Sequence, residues 1–281
     1  MKFMPNRMRL RQVAARTCCL CVLAIICSAP SARSADEASV HKTITVGSRK
    51  VKLTFAVPKG TPSPPPYVVI FASGDGGLKG VSKEILEHLA GQRHWVAGFS
   101  SPEAFKGIGD DSKQPNYAAA RDRLVSIIRQ AKEAMGVPDK TAILLTGMSR
   151  GANVVVAGAG DAALKPGIVG AIAIALTREF DDLTVADSVA GRPGIQADDK
   201  GRLQTYPALQ RLESLRLAVV QSTNDSYVKS SESRRLLGPD TPTRRLYEID
   251  SKNHSFGGGK PALMHALDEA VAWAGGSLTA P

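Results

Sequence analysis

Thr141-Ala142-Ile143-Leu144-Leu145-Thr146 runs directly into Gly147-Met148-Ser149-Arg150-Gly151, and a stretch of small residues follows to about Leu164. The first six residues are a short apolar run, the pattern of a strand buried on both faces. The last five form a G-x-S-x-G. Between a buried strand and a helix of small residues, that pattern reads as a nucleophile elbow. The chemistry requires the glycines. A turn this sharp strains the serine backbone and leaves its flanks almost no room for side chains. The hydroxyl then stands at a helix N-terminus, where the helix dipole favours negative charge. Outside that context the same five residues would be a tight packing turn with an idle serine.

Working outward, strands and helices alternate. Thr43–Val46 and Lys50–Val57 flank Gly47-Ser48 and read as an N-terminal β-hairpin. Tyr67–Ala72, Trp95–Phe99, Ile168–Ala175, Leu215–Gln221 and Arg244–Ile249 read as further strands. Val81–Ala90, Tyr117–Met135, Ser230–Leu237 and a last segment from Pro261 to Ala274 carry helical spacing of apolar residues. Residues 177–213 are polar and are expected to be irregular. This order predicts an α/β fold: a mostly parallel sheet with helices on both faces. In such sheets ligands gather at the carboxyl ends of the strands. The loops after Ala72, Thr146, Gln221 and Ile249 are therefore the ones to search.

The loop after Gln221 holds Asp225, downstream of Ser149, where a triad acid belongs in the order Ser…Asp…His. Asp240 and Asp250 are its rivals. The loop after Ile249 holds His254. Of five histidines, His41, His88 and His94 precede the nucleophile and His265 lies inside the last helix, so only His254 has both the order and a loop. Ser149 is thus the candidate nucleophile, His254 the general base and Asp225 the residue that orients it. The loop Ser73-Gly74-Asp75-Gly76-Gly77 is expected to supply an oxyanion donor from the amide of Gly74 or Asp75, beside that of Arg150. It fails the dinucleotide spacing, since Lys79 stands where a third glycine would be. No cofactor and no metal is implied. The pairs Arg234-Arg235 and Arg244-Arg245 read as solvated surface, placed on the site side of the sheet.

The 281 residues carry 36 Lys and Arg against 26 Asp and Glu, a formal charge of +10. Six of those basic residues lie in residues 1–34, which hold no acid. Basic residues, then an apolar stretch from Cys18 to Cys27, then small residues to Ser34 form the pattern of a secretory signal peptide, with cleavage placed after Ser34. Residues 35–281 are then a single exported domain, periplasmic or secreted. It carries only +4 and no cysteine. A mild excess spread over a whole domain is not a nucleic-acid footprint. A short N-terminal membrane anchor is the other reading of residues 1–34.

With these residues in hand, the chain resembles the bacterial virulence protein family VirJ/AcvB, in its short form. The resemblance rests on Ser73-Gly74-Asp75-Gly76-Gly77, on Gly147-Met148-Ser149-Arg150-Gly151-Ala152, and on Asn253-His254-Ser255-Phe256 before a final helix. It implies a periplasmic α/β hydrolase with Ser149, Asp225 and His254 as its catalytic residues. The implied substrate is an aminoacyl ester, that of lysyl-phosphatidylglycerol, reached at the membrane surface. This chain departs from the family pattern at Leu78 and Asn153, which bears on substrate rather than on the triad. Asp75 is a candidate to pair with the ammonium of a lysyl group, or else it orders its own loop. The alternatives are a hydrolase of a soluble small ester and a non-catalytic secretion accessory on a hydrolase scaffold.

Overall fold

Tyr67–Ala72 (β3) has no solvent-facing side. Val68, Ile70 and Ala72 enter one apolar cluster while Val69 and Phe71 enter another. Two-sided burial of one strand requires strands on both edges and helices on both faces, and the computed structural model has both. It describes residues 40–59, 65–105, 108, 117–185 and 191–276; the proposed signal peptide lies outside them. Val40–Val46 (β1) and Arg49–Ala56 (β2) form the expected hairpin around Gly47. Val96–Phe99 (β4), Ala142–Met148 (β5), Ile168–Ile174 (β6), Arg216–Ser222 (β9) and Arg244–Ile249 (β10) join β3 in one sheet. Among the described residues its order is β1-β2-β4-β3-β5-β6-β9-β10. β1 and β2 pair antiparallel, as do β2 and β4, and every other neighbour is parallel.

The helices divide between the two faces. Tyr117–Met135 (α3) and Arg150–Ala159 (α4) bury Leu124, Ile127, Val154 and Val155 on one. Gly80–Gly91 (α1) and Lys260–Gly275 (α7) bury Ile85, Leu89, Leu263 and Leu267 on the other. The α3 sequence, with apolar residues at 124, 127, 128 and 131, matches the buried stripe of that helix. Ser230–Leu237 (α6) lies between β9 and β10 in the chain. This is the α/β-hydrolase architecture.

Two local readings of the sequence are corrected, and one short helix is new. α4 ends at Ala159 rather than near Leu164. Gly160 caps it, and Asp161 then accepts the Ala163 amide at 2.9 Å, a local bond that competes with further helix. A short helix, Ser101–Phe105 (α2), follows β4 directly. Residues 177–213 are not irregular throughout. They hold Glu179–Thr184 (β7) paired with Arg202–Gln204 (β8), then Thr205–Ala208 (α5). The ladder breaks register between Phe180 and Thr184, so Phe180 and Leu183 are both buried while the sequence shows no alternation of period two.

Candidate active site

The turn after β5 is as tight as its glycines predict. A Cβ on Gly147 would lie 2.2 Å from the Gly151 carbonyl oxygen, and one on Gly151 would lie 2.0 Å from that of Ala72. Both contacts are with backbone, so neither can relax cheaply. Ser149 is held at φ 54°, ψ −119°, a region favourable only to glycine. Its amide donates to the Ile174 carbonyl at 2.8 Å, and its own carbonyl caps the first turn of α4. Ser149 is 8% exposed.

The structure brings the three candidate side chains into one hydrogen-bonded chain. His254 Nε2 lies 2.8 Å from Ser149 Oγ, and His254 Nδ1 lies 2.7 Å from Asp225 Oδ2. With Nδ1 protonated and donating to Asp225, Nε2 is free to accept from the serine hydroxyl. The Asp225 carboxylate is fully buried and surrounded by donors. Its Oδ1 accepts the Tyr227 amide at 2.8 Å and the Val228 amide at 3.4 Å, and its Oδ2 accepts Gln221 Nε2 at 3.0 Å. The rivals are engaged elsewhere. Asp240 accepts from Arg234 and from the Leu246 amide, and Asp250 accepts from Thr223.

Several residues that sequence reasoning did not single out hold this geometry. Asn253 Oδ1 accepts the amides of Ser255 and Gly257, each at 3.0 Å, and closes the histidine loop. Asn224 Nδ2 donates to the Ser251 carbonyl at 2.7 Å, tying the acid loop to the histidine loop. Asn253 was findable, since an asparagine in a Gly-rich loop commonly folds back on its own backbone. Gln221 gave no signal, because a glutamine at a strand end has no fixed role. The Tyr227 ring packs edge-on against the imidazole, centroids 4.7 Å apart.

On the opposite side, Ser73–Gly77 passes beside the elbow. The Gly74 amide donates to Ser82 Oγ at 3.2 Å. That bond corrects the expectation for Gly74, whose N–H is spent within the protein. The amides of Asp75 and Arg150 have no hydrogen-bond partner among the described residues. The Asp75 carboxylate, 64% exposed, pairs with Arg150 Nε instead of ordering its loop through backbone amides. Arg150 Nη1 also pairs with Asp182 on β7. Burial alone would lower the Arg150 pKa, but the hydrogen bonds and charges of Asp182 and Asp75 outweigh it and raise it.

Arg244 and Arg245 open β10. A parallel strand starts at the end of the sheet remote from the elbow, so this pair does not flank the site as the sequence suggested. Among the described residues no group of three His, Cys, Asp or Glu side chains is placed to hold a metal. The arrangement is suited to one chemistry: a hydroxyl beside an imidazole base, the base oriented by a carboxylate, and the amides of Asp75 and Arg150 without a partner among the described residues.

Comparison with known proteins gives a consistent picture. The family model described as bacterial virulence protein (VirJ) matches residues 66–241, a span that includes Ser149 and Asp225 and stops before His254. No curated protein matches the chain. Among solved structures, Est1E from Butyrivibrio proteoclasticus is 16% identical, with a TM-score of 0.54 over 83% of this chain and 100% of that one. A serine hydrolase without lid from Xanthomonas campestris is 18% identical, with a TM-score of 0.54 over 86% of this chain and 97% of that one. An esterase from Pyrococcus furiosus is 14% identical, with a TM-score of 0.59 over 84% of this chain and 93% of that one. At these identities the likeness is one of fold.

Proposed function

We propose that this chain, which belongs to the bacterial virulence protein family VirJ, is a serine hydrolase of carboxylic esters. The observation that carries the reading is the chain of hydrogen bonds from Asp225 through His254 to Ser149. In the proposed reaction Ser149 Oγ attacks the ester carbonyl and gives its proton to His254 Nε2. The amides of Asp75 and Arg150 receive the tetrahedral oxyanion. Collapse expels the alcohol, which takes the proton back from His254 and leaves an acyl-serine. Water, deprotonated by the same imidazole, then attacks the acyl carbon, and collapse releases the acid while His254 returns the proton to Ser149 Oγ. Asp225 fixes the tautomer throughout and does not itself take the proton.

Within that class, the substrate we propose is a cationic aminoacyl ester such as lysyl-phosphatidylglycerol. In such an ester the α-ammonium is one carbon from the carbonyl. A carboxylate beside the oxyanion donors is therefore within its reach, and Asp75 supplies one. The exported location read from residues 1–34 would bring the enzyme to the outer leaflet, where a peripheral contact with the membrane surface would serve it.

The test is a fluorophosphonate probe on the purified protein, followed by assays on aminoacylated phosphatidylglycerol, plain phosphatidylglycerol and a soluble ester side by side. Labelling that disappears in Ser149→Ala is expected, with kcat falling by about 10⁴–10⁶. Retained turnover in that variant removes the mechanism. Turnover of the soluble ester alone removes the lipid substrate and leaves the hydrolase.

A further inference from the structure

The Arg150 main chain and side chain point to different tasks. Its amide opens α4 at the elbow. Its guanidinium, 23% exposed, reaches away and binds two carboxylates on two separate elements. One is Asp75, in the loop after β3. The other is Asp182, on β7 of the small β7–β8 sheet. That sheet is itself pinned. Arg202 on β8 pairs with Asp181 at 2.5 Å and with Asp198 at 2.6 Å. The first turn of α4 also grips it, since Asn153 Nδ2 donates to Thr177 Oγ1 at 2.7 Å and to the Glu179 carbonyl at 2.8 Å. Asp182 therefore stands on a fixed platform.

Asp75 sits in a turn in which the Gly74 carbonyl accepts from Gly77 N–H and from Ser73 Oγ, each at 3.0 Å. Gly76 and Gly77 follow it, and Gly77 has φ +66°. The Gly74 side of the peptide that carries the amide assigned to the oxyanion is thus held, and among the described residues Asp75 itself is held only by its carboxylate's bond to Arg150. An oxyanion donor is effective only if its direction is set before the charge develops.

We infer that the Arg150 guanidinium is a positioning residue. It ties Asp75 to Asp182, so that the β7–β8 sheet fixes the direction of the Asp75 amide. This inference rests on the hydrolase reading and extends it. Residues 177–185 and 202–204 then serve the transition state although they touch neither nucleophile nor base. Arg150 acts through Asp75, so its loss affects the transition state more than ground-state binding.

The experiment compares R150M, R150K, D182N and R150M/D182N on one soluble ester, with Tm recorded for each. Methionine keeps an unbranched stem and removes the donors. R150M is expected to lower kcat roughly 10–100-fold, less than the 10²–10³ that follows loss of a whole donor, with KM within about twofold. Affinity for a trifluoromethyl ketone, whose carbonyl oxygen becomes a hemiketal oxyanion when Ser149 Oγ adds to it, should fall by the same factor as kcat. R150K keeps the charge without the span and should lie between. D182N should lower kcat in the same direction, and the double variant should be no worse than R150M. If R150M does not fold, R150K and D182N carry the same comparison.

A wild-type kcat in R150M, or multiplying effects of R150M and D182N, overturns the inference. So does a loss of kcat with no matching loss of ketone affinity. A wild-type protein that neither labels nor turns over ester sinks the hydrolase reading itself. A wild type that does both, matched by R150M, sinks only the clamp.

Discussion

Ser149→Gly should make the folded protein more stable than Ser149→Ala. Both variants delete the hydroxyl and its bond to His254, so they differ only at the backbone. Alanine keeps a Cβ at φ 54°, ψ −119°, and glycine removes it. A non-glycine residue in so sparse a region costs of order 1–3 kcal/mol. Glycine gives back about 0.4–1 kcal/mol by loosening the unfolded chain. The balance favours glycine by about 1 kcal/mol. For a domain of this size that is a rise in Tm of about 2–4 °C. Thermal and urea unfolding of the two variants measures the difference. Glycine equal to or below alanine, with unchanged m, would mean that the elbow stores no strain. The exposure of the hydroxyl would then need another cause.

Asp75→Asn should lower kcat/KM for a cationic aminoacyl ester more than for a neutral ester of the same alcohol; an unchanged ratio removes Asp75 from substrate recognition. Gly151→Ala puts a Cβ 2.0 Å from the Ala72 carbonyl oxygen and 2.5 Å from its carbon, so urea unfolding should show a loss of about 3 kcal/mol or more, and a loss below about 1 kcal/mol would show that β3 and α4 can part. Burial lowers the pKa of His94 from its ordinary 6.5. The folded state then holds His94 neutral while the unfolded chain takes up a proton as pH falls through about 6.5, so stability declines from there down to the folded pKa. His94→Gln should flatten the fall in urea midpoint between about pH 7.5 and pH 5.5, and an unaltered slope would place the proton uptake elsewhere.

What could be read from the sequence was whatever backbone sterics impose. Gly147 and Gly151 are required by atoms 2.0–2.2 Å away, so the elbow announced itself. Ser149, Asp225 and His254 could be picked out because each follows the carboxyl end of a strand, and strands buried on both faces are the plainest pattern in the chain. The choice between Gly74 and Asp75 stayed open, because it depends on Ser82, a helix residue whose hydroxyl faces the loop only once α1 is packed. β7 was hidden for a similar reason. Its Asp181 and Asp182 read as solvated charges until Arg202 and Arg150 are brought to them by the fold. Pairing between distant charges leaves no periodicity in a sequence.

The sheet order also explains why the acid comes from β9. β6 separates β5 from β9, so the serine and acid loops start two strand spacings apart, about 10 Å. Two hydrogen bonds of 2.8 and 2.7 Å with an imidazole between them cover most of that gap. The imidazole must therefore reach back across β9, although it is carried by the edge strand β10. A free loop would seldom hold it there. The bond from Ser251 Oγ to Ser222 Oγ at 2.6 Å, the bond from Asn224 to Ser251, and the two amides gathered by Asn253 hold that loop inward. Gln221 fills the remaining distance. Its Oε1 accepts the Leu176 amide just past β6 at 3.0 Å while its Nε2 donates to Asp225. Asp250 could not replace Asp225, since it leaves β10 itself and would hold the ring over its own strand, beyond reach of Ser149.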